Sequence, residues 1–145
     1  MPTAYASVLI TASVARVWDA VRDFNGLPSW HPFVTESRIE GGARADQVGC
    51  IRAFRLEDGG FIREKLLSLS DVDRSLTYSI LESPMDLSDY TATLGLMPVT
   101  DTNATFVEWH AEFSCPAEKE KPLVRQIEQG VFQQGLASLK QRFGG

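Results

Sequence analysis

The order of hydrophobic periodicities predicts an α+β fold: a curved, seven-stranded antiparallel sheet with one long C-terminal helix lying across it. Three observations carry that expectation. Runs of period-two alternation recur from Phe33 to Cys115, short turns separate them, and from about Glu118 the spacing changes to threes and fours. Strands joined by short turns pair antiparallel, and a helix with one apolar stripe must bury it on such a sheet.

The elements follow in order. Tyr5 to Thr11 is rich in β-branched residues and suggests a first strand. Ser13 is an N-cap candidate, and Val14, Val17, Trp18 and Val21 fall on one stripe, so a helix is expected over Ser13–Phe24. Asn25-Gly26 ends it. Leu27-Pro28-Ser29-Trp30-His31-Pro32 then reads as a compact turn or short helix bracketed by prolines. A strand is expected from Phe33 to Glu40, closed by Gly41-Gly42.

Gly49 to Ser70 reads as a β-hairpin turning at Asp58-Gly59-Gly60, because glycine accepts positive φ cheaply. Cys50, Arg52, Phe54 and Leu56 share one parity on the first arm, and Ile62, Glu64, Leu66 and Ser68 share one on the second. With a loop at Glu57–Gly59, Arg52 stands opposite Glu64 on a mostly apolar face. Burying either charge alone costs several kcal/mol, so the two must pair or face a partly wet cavity.

Further strands are expected at Leu76–Glu82, with Leu76, Tyr78 and Ile80 on one face, and at Leu87–Val99, with Tyr90, Ala92, Leu94 and Leu96 together. The turn Thr100–Asn103 leads to Thr105–Cys115, where Val107, Trp109, Ala111 and Phe113 alternate with Glu108, His110 and Glu112. That alternation predicts one covered face and one wet face, with His110 turned to solvent. Leu123, Val124, Ile127, Val131, Phe132, Leu136, Leu139 and Phe143 describe an amphipathic helix of roughly 25 residues, about 37 Å long. Gly130 and Gly135 interrupt it, each at about 1 kcal/mol of helix propensity. Close contact with the sheet, or room for a guest, would account for them. A single helix cannot fill a concave face seven strands wide, so a cavity is expected.

The chain has 145 residues, 43% of them hydrophobic, which predicts one domain over 1–145. A net charge of −5 with no basic run lacks the footprint of a nucleic-acid or anionic-membrane binder. Met1-Pro2-Thr3-Ala4-Tyr5-Ala6 shows no basic segment followed by an apolar one, and no long apolar stretch occurs, so a cytoplasmic location is expected. Cys50 and Cys115 match no zinc or disulfide pattern and read as small buried residues.

Functional candidates come from inward parity. Arg52 and Glu64 are either polar anchors for a ligand or a structural ion pair; Tyr78, Tyr90 and Trp109 supply apolar area with a hydroxyl or indole donor. Phe54, Ala92, Ile127, Val131 and Gly135 complete the expected wall with Trp30 and His31. His31 is either an acid/base or ligand donor or a loop histidine bonded to backbone. The two histidines fall on different faces, so no metal site is expected. No Gly-x-Ser-x-Gly, cysteine-nucleophile, dinucleotide or P-loop motif occurs, and no cofactor is expected. Leu67, Leu69 and Leu81 take the outer parity, where they could cover a dimer contact, so the chain is expected as a monomer or homodimer.

Val17-Trp18, Phe24 with Gly26-Leu27-Pro28-Ser29-Trp30-His31-Pro32, Val48-Gly49-Cys50-Ile51-Arg52, Gly59-Gly60 before Arg63-Glu64, and Val107-Glu108-Trp109 together resemble the START-like (SRPBCC) superfamily. The likeness is greatest to its small bacterial polyketide cyclase/dehydrase-like members. It implies the helix-grip fold of Bet v 1 and a hydrophobic ligand cavity under the C-terminal helix, reached between hairpin loops. Where the related plant abscisic acid receptors hold a ligand carboxylate with lysine, this sequence has His31. The expected function is binding of a small hydrophobic, aromatic or lipid-like molecule. The alternative the resemblance implies is a cyclase/aromatase or dehydratase, with Glu64, Arg52, His31 and Tyr90 in polar roles.

Overall fold

In a computed structural model describing residues 1–145, the chain forms β1 (Thr3–Ile10), α1 (Val14–Val21), a 3-10 turn (Leu27–Ser29), β2 (Val34–Ile39), β3 (Ile51–Leu56), β4 (Phe61–Ser70), β5 (Ser75–Glu82), β6 (Ser88–Val99) and β7 (Ala104–Ser114). A C-terminal helix follows in three continuous parts: α2 (Glu120–Arg125), a wider π-helical segment (Gln126–Gln133) and α3 (Gln134–Arg142). The seven strands make one antiparallel sheet in the order β1-β7-β6-β5-β4-β3-β2. Consecutive hairpins build it from β2 to β7, and β1 closes onto β7, as in the helix-grip fold expected above.

Alternation decides which face is covered. On β7, Val107, Trp109, Ala111 and Phe113 are buried while His110 and Glu112 are exposed. On β6, Tyr90, Ala92, Leu94 and Leu96 point inward. The C-terminal helix lays Leu123, Ile127, Phe132, Leu136 and Leu139 on this face. The Trp109 and Phe132 rings stack with centroids 4.5 Å apart, which sets the helix close to β7. α1 buries Val17, Trp18 and Val21, and the Trp18 Nε1–H donates to Asp71 Oδ1 at 2.8 Å, fastening α1 to the β4–β5 turn.

Two expectations are corrected. Leu69 does not stand on the outer face with Leu67 and Leu81. A bulge between Leu66 and Ser68 shifts the β4–β5 register, so Leu69 pairs with Leu76 and packs against the core, whereas Leu67 and Leu81 stay exposed. The long helix is also not uniformly α-helical. Its π-helical segment covers 8 residues and lies where the helix crosses the sheet's hollow.

Candidate functional site

Between the inner face of the sheet and the π-helical segment lies a cavity of about 370 Å³. This volume falls in the range of roughly 300–1,000 Å³ usual for small-molecule sites. Its rim is formed by the exposed residues Glu57 and Asp58 at the β3–β4 turn, Pro84 in the β5–β6 loop, and Gln126 on the helix. The cavity therefore opens between two hairpin loops and the helix.

The inner wall is built on the β3–β4 register. Arg52 pairs with Glu64 across the ladder, and both are about 5% exposed or less. Arg52 Nε donates to Glu64 Oε1 at 2.8 Å, and Arg52 Nη2 lies 2.6 Å from the same oxygen. The remaining edge is used as well, because Nη1 donates to the Phe24 carbonyl at 3.0 Å. The guanidinium lies 3.9 Å from the Phe24 ring centroid and 4.8 Å from that of Tyr78. The cation is thus held by charge, backbone and aromatic faces together. Burial pushes the Glu64 carboxyl up from its ordinary value, and the charge and hydrogen bond of Arg52 act against that rise. Arginine cannot shed its proton, so a protonated Glu64 would strand a buried cation; the pair is stable as two ions.

Beside the pair stands an aromatic network. Trp109 Nε1–H donates to the Tyr78 hydroxyl at 3.0 Å, and the Tyr78 and Tyr90 rings lie 6.4 Å apart. Burial foremost, then the neighbouring Tyr78 and Glu64 charges, raises the Tyr90 phenol well above its ordinary value, so it is a neutral donor at physiological pH. Every side-chain nitrogen or oxygen sealed from contact has a hydrogen-bond partner. The atoms left for a guest on this wall are therefore those open to the cavity, chiefly Glu64 Oε2 and the Tyr90 hydroxyl.

His31 occupies a different position and role. Its Nε2 lies 2.9 Å from the Val131 carbonyl, and the Phe33 N–H donates to Nδ1 at 3.3 Å. Only a neutral ring protonated at Nε2 satisfies both contacts. Burial lowers the pKa of His31, and the Arg52 charge lowers it further against the bond to Val131. The ring ties the Leu27–Val34 loop to the helix. Gly135 makes this possible: a β-carbon there would lie 2.7 Å from His31 Cδ2 and 3.1 Å from Trp109 Cζ3.

The residues expected on the wall divide into two groups. His31, Arg52, Phe54, Glu64, Tyr78, Tyr90, Trp109, Ile127 and Val131 line the cavity. Trp30, Ala92 and Gly135 do not. Trp30 packs behind the wall with its ring 5.7 Å from that of Trp109, Ala92 is too short to reach past its buried neighbours, and Gly135 is spent on the contact with His31. Sequence reasoning overlooked Leu56, Ile62 and Ile80, whose parity with Phe54, Glu64 and Tyr78 was signal enough. It also overlooked Met85 and Gly130 as wall residues, and the acidic pair at the rim, for which a loop or helix offers no alternation to read.

Comparison with known proteins agrees with this geometry. The family described as polyketide cyclase / dehydrase and lipid transport matches residues 1–144. A Thermobifida fusca protein solved in solution is 32% identical over 99% of this chain and 94% of its own, with a TM-score of 0.90. The protein XoxI of Bacillus cereus is 29% identical over 99% of this chain and 96% of its own, with a TM-score of 0.88. A norcoclaurine synthase of Thalictrum, solved with a transition-state analogue, shares the fold at 16% identity and a TM-score of 0.76, covering 97% of this chain and 92% of its own. The chain belongs to the polyketide cyclase / dehydrase and lipid transport family.

Proposed function

We propose that the protein binds a small hydrophobic molecule in the cavity under its C-terminal helix. The observation that supports this best is the composition of the wall. Side chains such as Leu27, Phe54, Ile62, Ile80 and Ile127 face an unfilled volume of about 370 Å³, while its polar groups are few and grouped. Leaving so much apolar surface uncovered forfeits packing that interiors ordinarily gain, and a guest restores it. The chain has no helix long and apolar enough to cross a membrane.

One observation favours an enzyme instead: the Glu64 carboxyl, pushed up by burial, opens on the cavity and could exchange a proton with a bound polyketide-like substrate. A relay needs a second group, and the one open neighbour, the Tyr90 hydroxyl, is kept from giving up its proton by burial, while the others are engaged. Both His31 nitrogens are bonded, and Arg52 is committed to Glu64 and the Phe24 carbonyl. Binding without turnover accounts for the arrangement with fewer requirements.

The test is titration with a neutral fluorophore, N-phenyl-1-naphthylamine, followed by its emission and by the melting temperature of the protein. Saturable binding at one site with a matching rise in melting temperature is expected, since a ligand that prefers the native state stabilises it. No saturable signal with this probe or with a panel of neutral aromatic and aliphatic compounds would exclude the reading.

A further inference from the structure

The charges around the cavity are unevenly placed. Three acids, Glu57, Asp58 and Glu64, line it, against one guanidinium, that of Arg52. Glu57 and Asp58 are exposed at the rim, so any guest passes two carboxylates on its way in. The one cation is not available to an incoming anion, because its Nε and Nη2 converge on Glu64 Oε1, its Nη1 is bonded to the Phe24 carbonyl, and the Phe24 ring covers its face at 3.9 Å. His31, the other nitrogen base on the wall, is kept neutral by burial and by the Phe33 N–H at Nδ1, and its one N–H is taken by the Val131 carbonyl, so it has no free donor.

What remains for recognition is an acceptor and a donor. Glu64 Oε2 lies outside the bonds to Arg52, and Tyr90 lines the cavity beside Tyr78, whose own hydroxyl is already taken as acceptor by Trp109 Nε1–H. Glu64 and Tyr90 stand on the inner face at the same level of the sheet, with Ile80 between them: Glu64 faces Ile80 across β4–β5, and the β5–β6 register runs from Tyr78↔Ala92 and Ser79↔Thr91 towards Tyr90. A hydroxyl is the simplest group that serves both, donating to a carboxylate and accepting from a phenol. A carboxylate can only accept. It would meet Glu64 as a like charge in a poorly hydrated place, with no free cation to compensate.

Resting on the binding reading above, we infer that this cavity selects uncharged ligands bearing a hydroxyl at their inner end, phenols or alcohols with an apolar body, and rejects the carboxylates of the same skeleton. The acidic rim and the Glu64–Tyr90 wall act in the same direction, the first on approach and the second on the bound state. The selectivity therefore does not depend on the shape of the apolar body.

The experiment compares 2-naphthol, 2-naphthoate and unsubstituted naphthalene at neutral pH, by calorimetry or displacement of the neutral fluorophore, on the wild type and on Tyr90→Phe and Glu64→Gln. Expected is roughly ten-fold tighter binding of naphthol than of naphthoate in the wild type, as one hydrogen bond gained and one like charge avoided imply. Tyr90→Phe should cut naphthol's advantage over naphthalene, leaving only the part that comes from the bond to Glu64. Glu64→Gln, where it folds, should raise naphthoate affinity by freeing the guanidinium; where it does not fold, Tyr90→Phe carries the test. If naphthoate binds as well as naphthol, or if Tyr90→Phe leaves naphthol's advantage over naphthalene intact, the selectivity is overturned and the binding function stands. If none of the three compounds, nor the fluorophore, binds, both are overturned.

Discussion

Gly135 and His31 are packed so closely that a β-carbon on residue 135 would lie 2.7 Å from Cδ2 of the imidazole. Such a contact cannot be relieved cheaply, because the ring is bonded on both sides to Val131 and Phe33 and lies edge-on to Trp109. Gly135→Ala is therefore expected to destabilise the protein by about 1–3 kcal/mol through overpacking, despite the gain of about 1 kcal/mol in helix propensity. Gly130→Ala meets only Gln126 Cγ, at 4.0 Å. It should be neutral or stabilising by up to about 1 kcal/mol. Urea denaturation of the two variants checks the contrast, and equal effects would refute it.

The same histidine predicts a pH dependence. Its pKa in the folded chain is lowered from the ordinary 6.5, first by burial. Below 6.5 the unfolded chain takes up a proton that the folded chain refuses, so more protons bind the unfolded state and stability declines as pH falls. The decline runs from 6.5 towards the lowered folded value and stops contributing beneath it. His31→Gln keeps an amide donor for the Val131 carbonyl without a titrating ring. Denaturation curves on either side of 6.5 should show a smaller loss in the variant than in the wild type. Parallel losses would mean that other groups set the slope.

The Arg52–Glu64 pair predicts a marked departure from additivity. Both side chains are buried, and removing one partner strands the other's charge, at about 3–5 kcal/mol. Replacing both, as in Arg52→Met with Glu64→Leu, removes the stranded charge and restores apolar packing against Phe24 and Tyr78. The double variant should be more stable than either single one. A double-mutant cycle by denaturant titration measures this directly, and additive losses would show that the pair's value lies in its separate contacts.

This ion pair also marks how far sequence reading reaches. The turn at Asp58-Gly59-Gly60 sets the hairpin register, so the pairing of Arg52 with Glu64 follows from counting along two arms. Inward parity likewise placed Tyr78, Tyr90 and Trp109 on one surface. Contacts that depend on a third element were not legible: the Phe24 carbonyl and ring on Arg52 come from the end of the α1 region, far from β3 in the chain. Alternation also misleads wherever a bulge inserts, which is why parity alone points Leu69 to the wrong face. The C-terminal helix left only an ambiguous trace of its irregularity, Gly130 inside the π-helical segment and Gly135 just beyond it in α3, which close packing or open space could equally explain. The structure assigns one cause to each, contact at Gly135 and open space at Gly130.

That division makes Gly130 the place to close the cavity without disturbing the fold. Gly130 lines the hollow, and a β-carbon built on it touches nothing nearer than 4.0 Å, so a larger side chain extends into the volume a guest would use. Gly130→Leu removes a poor helix former and covers apolar wall on Ile127 and its neighbours, so stability should hold or rise by about 1 kcal/mol. Affinity for a neutral naphthyl probe should fall at least roughly ten-fold, a loss of about 1.4 kcal/mol or more. Thermal melts and probe titration on the same preparation separate the two effects. A variant that is stable and still binds at wild-type affinity would place the ligand elsewhere on the molecule; one that is stable and binds nothing ties binding to the space beneath the π-helical turn.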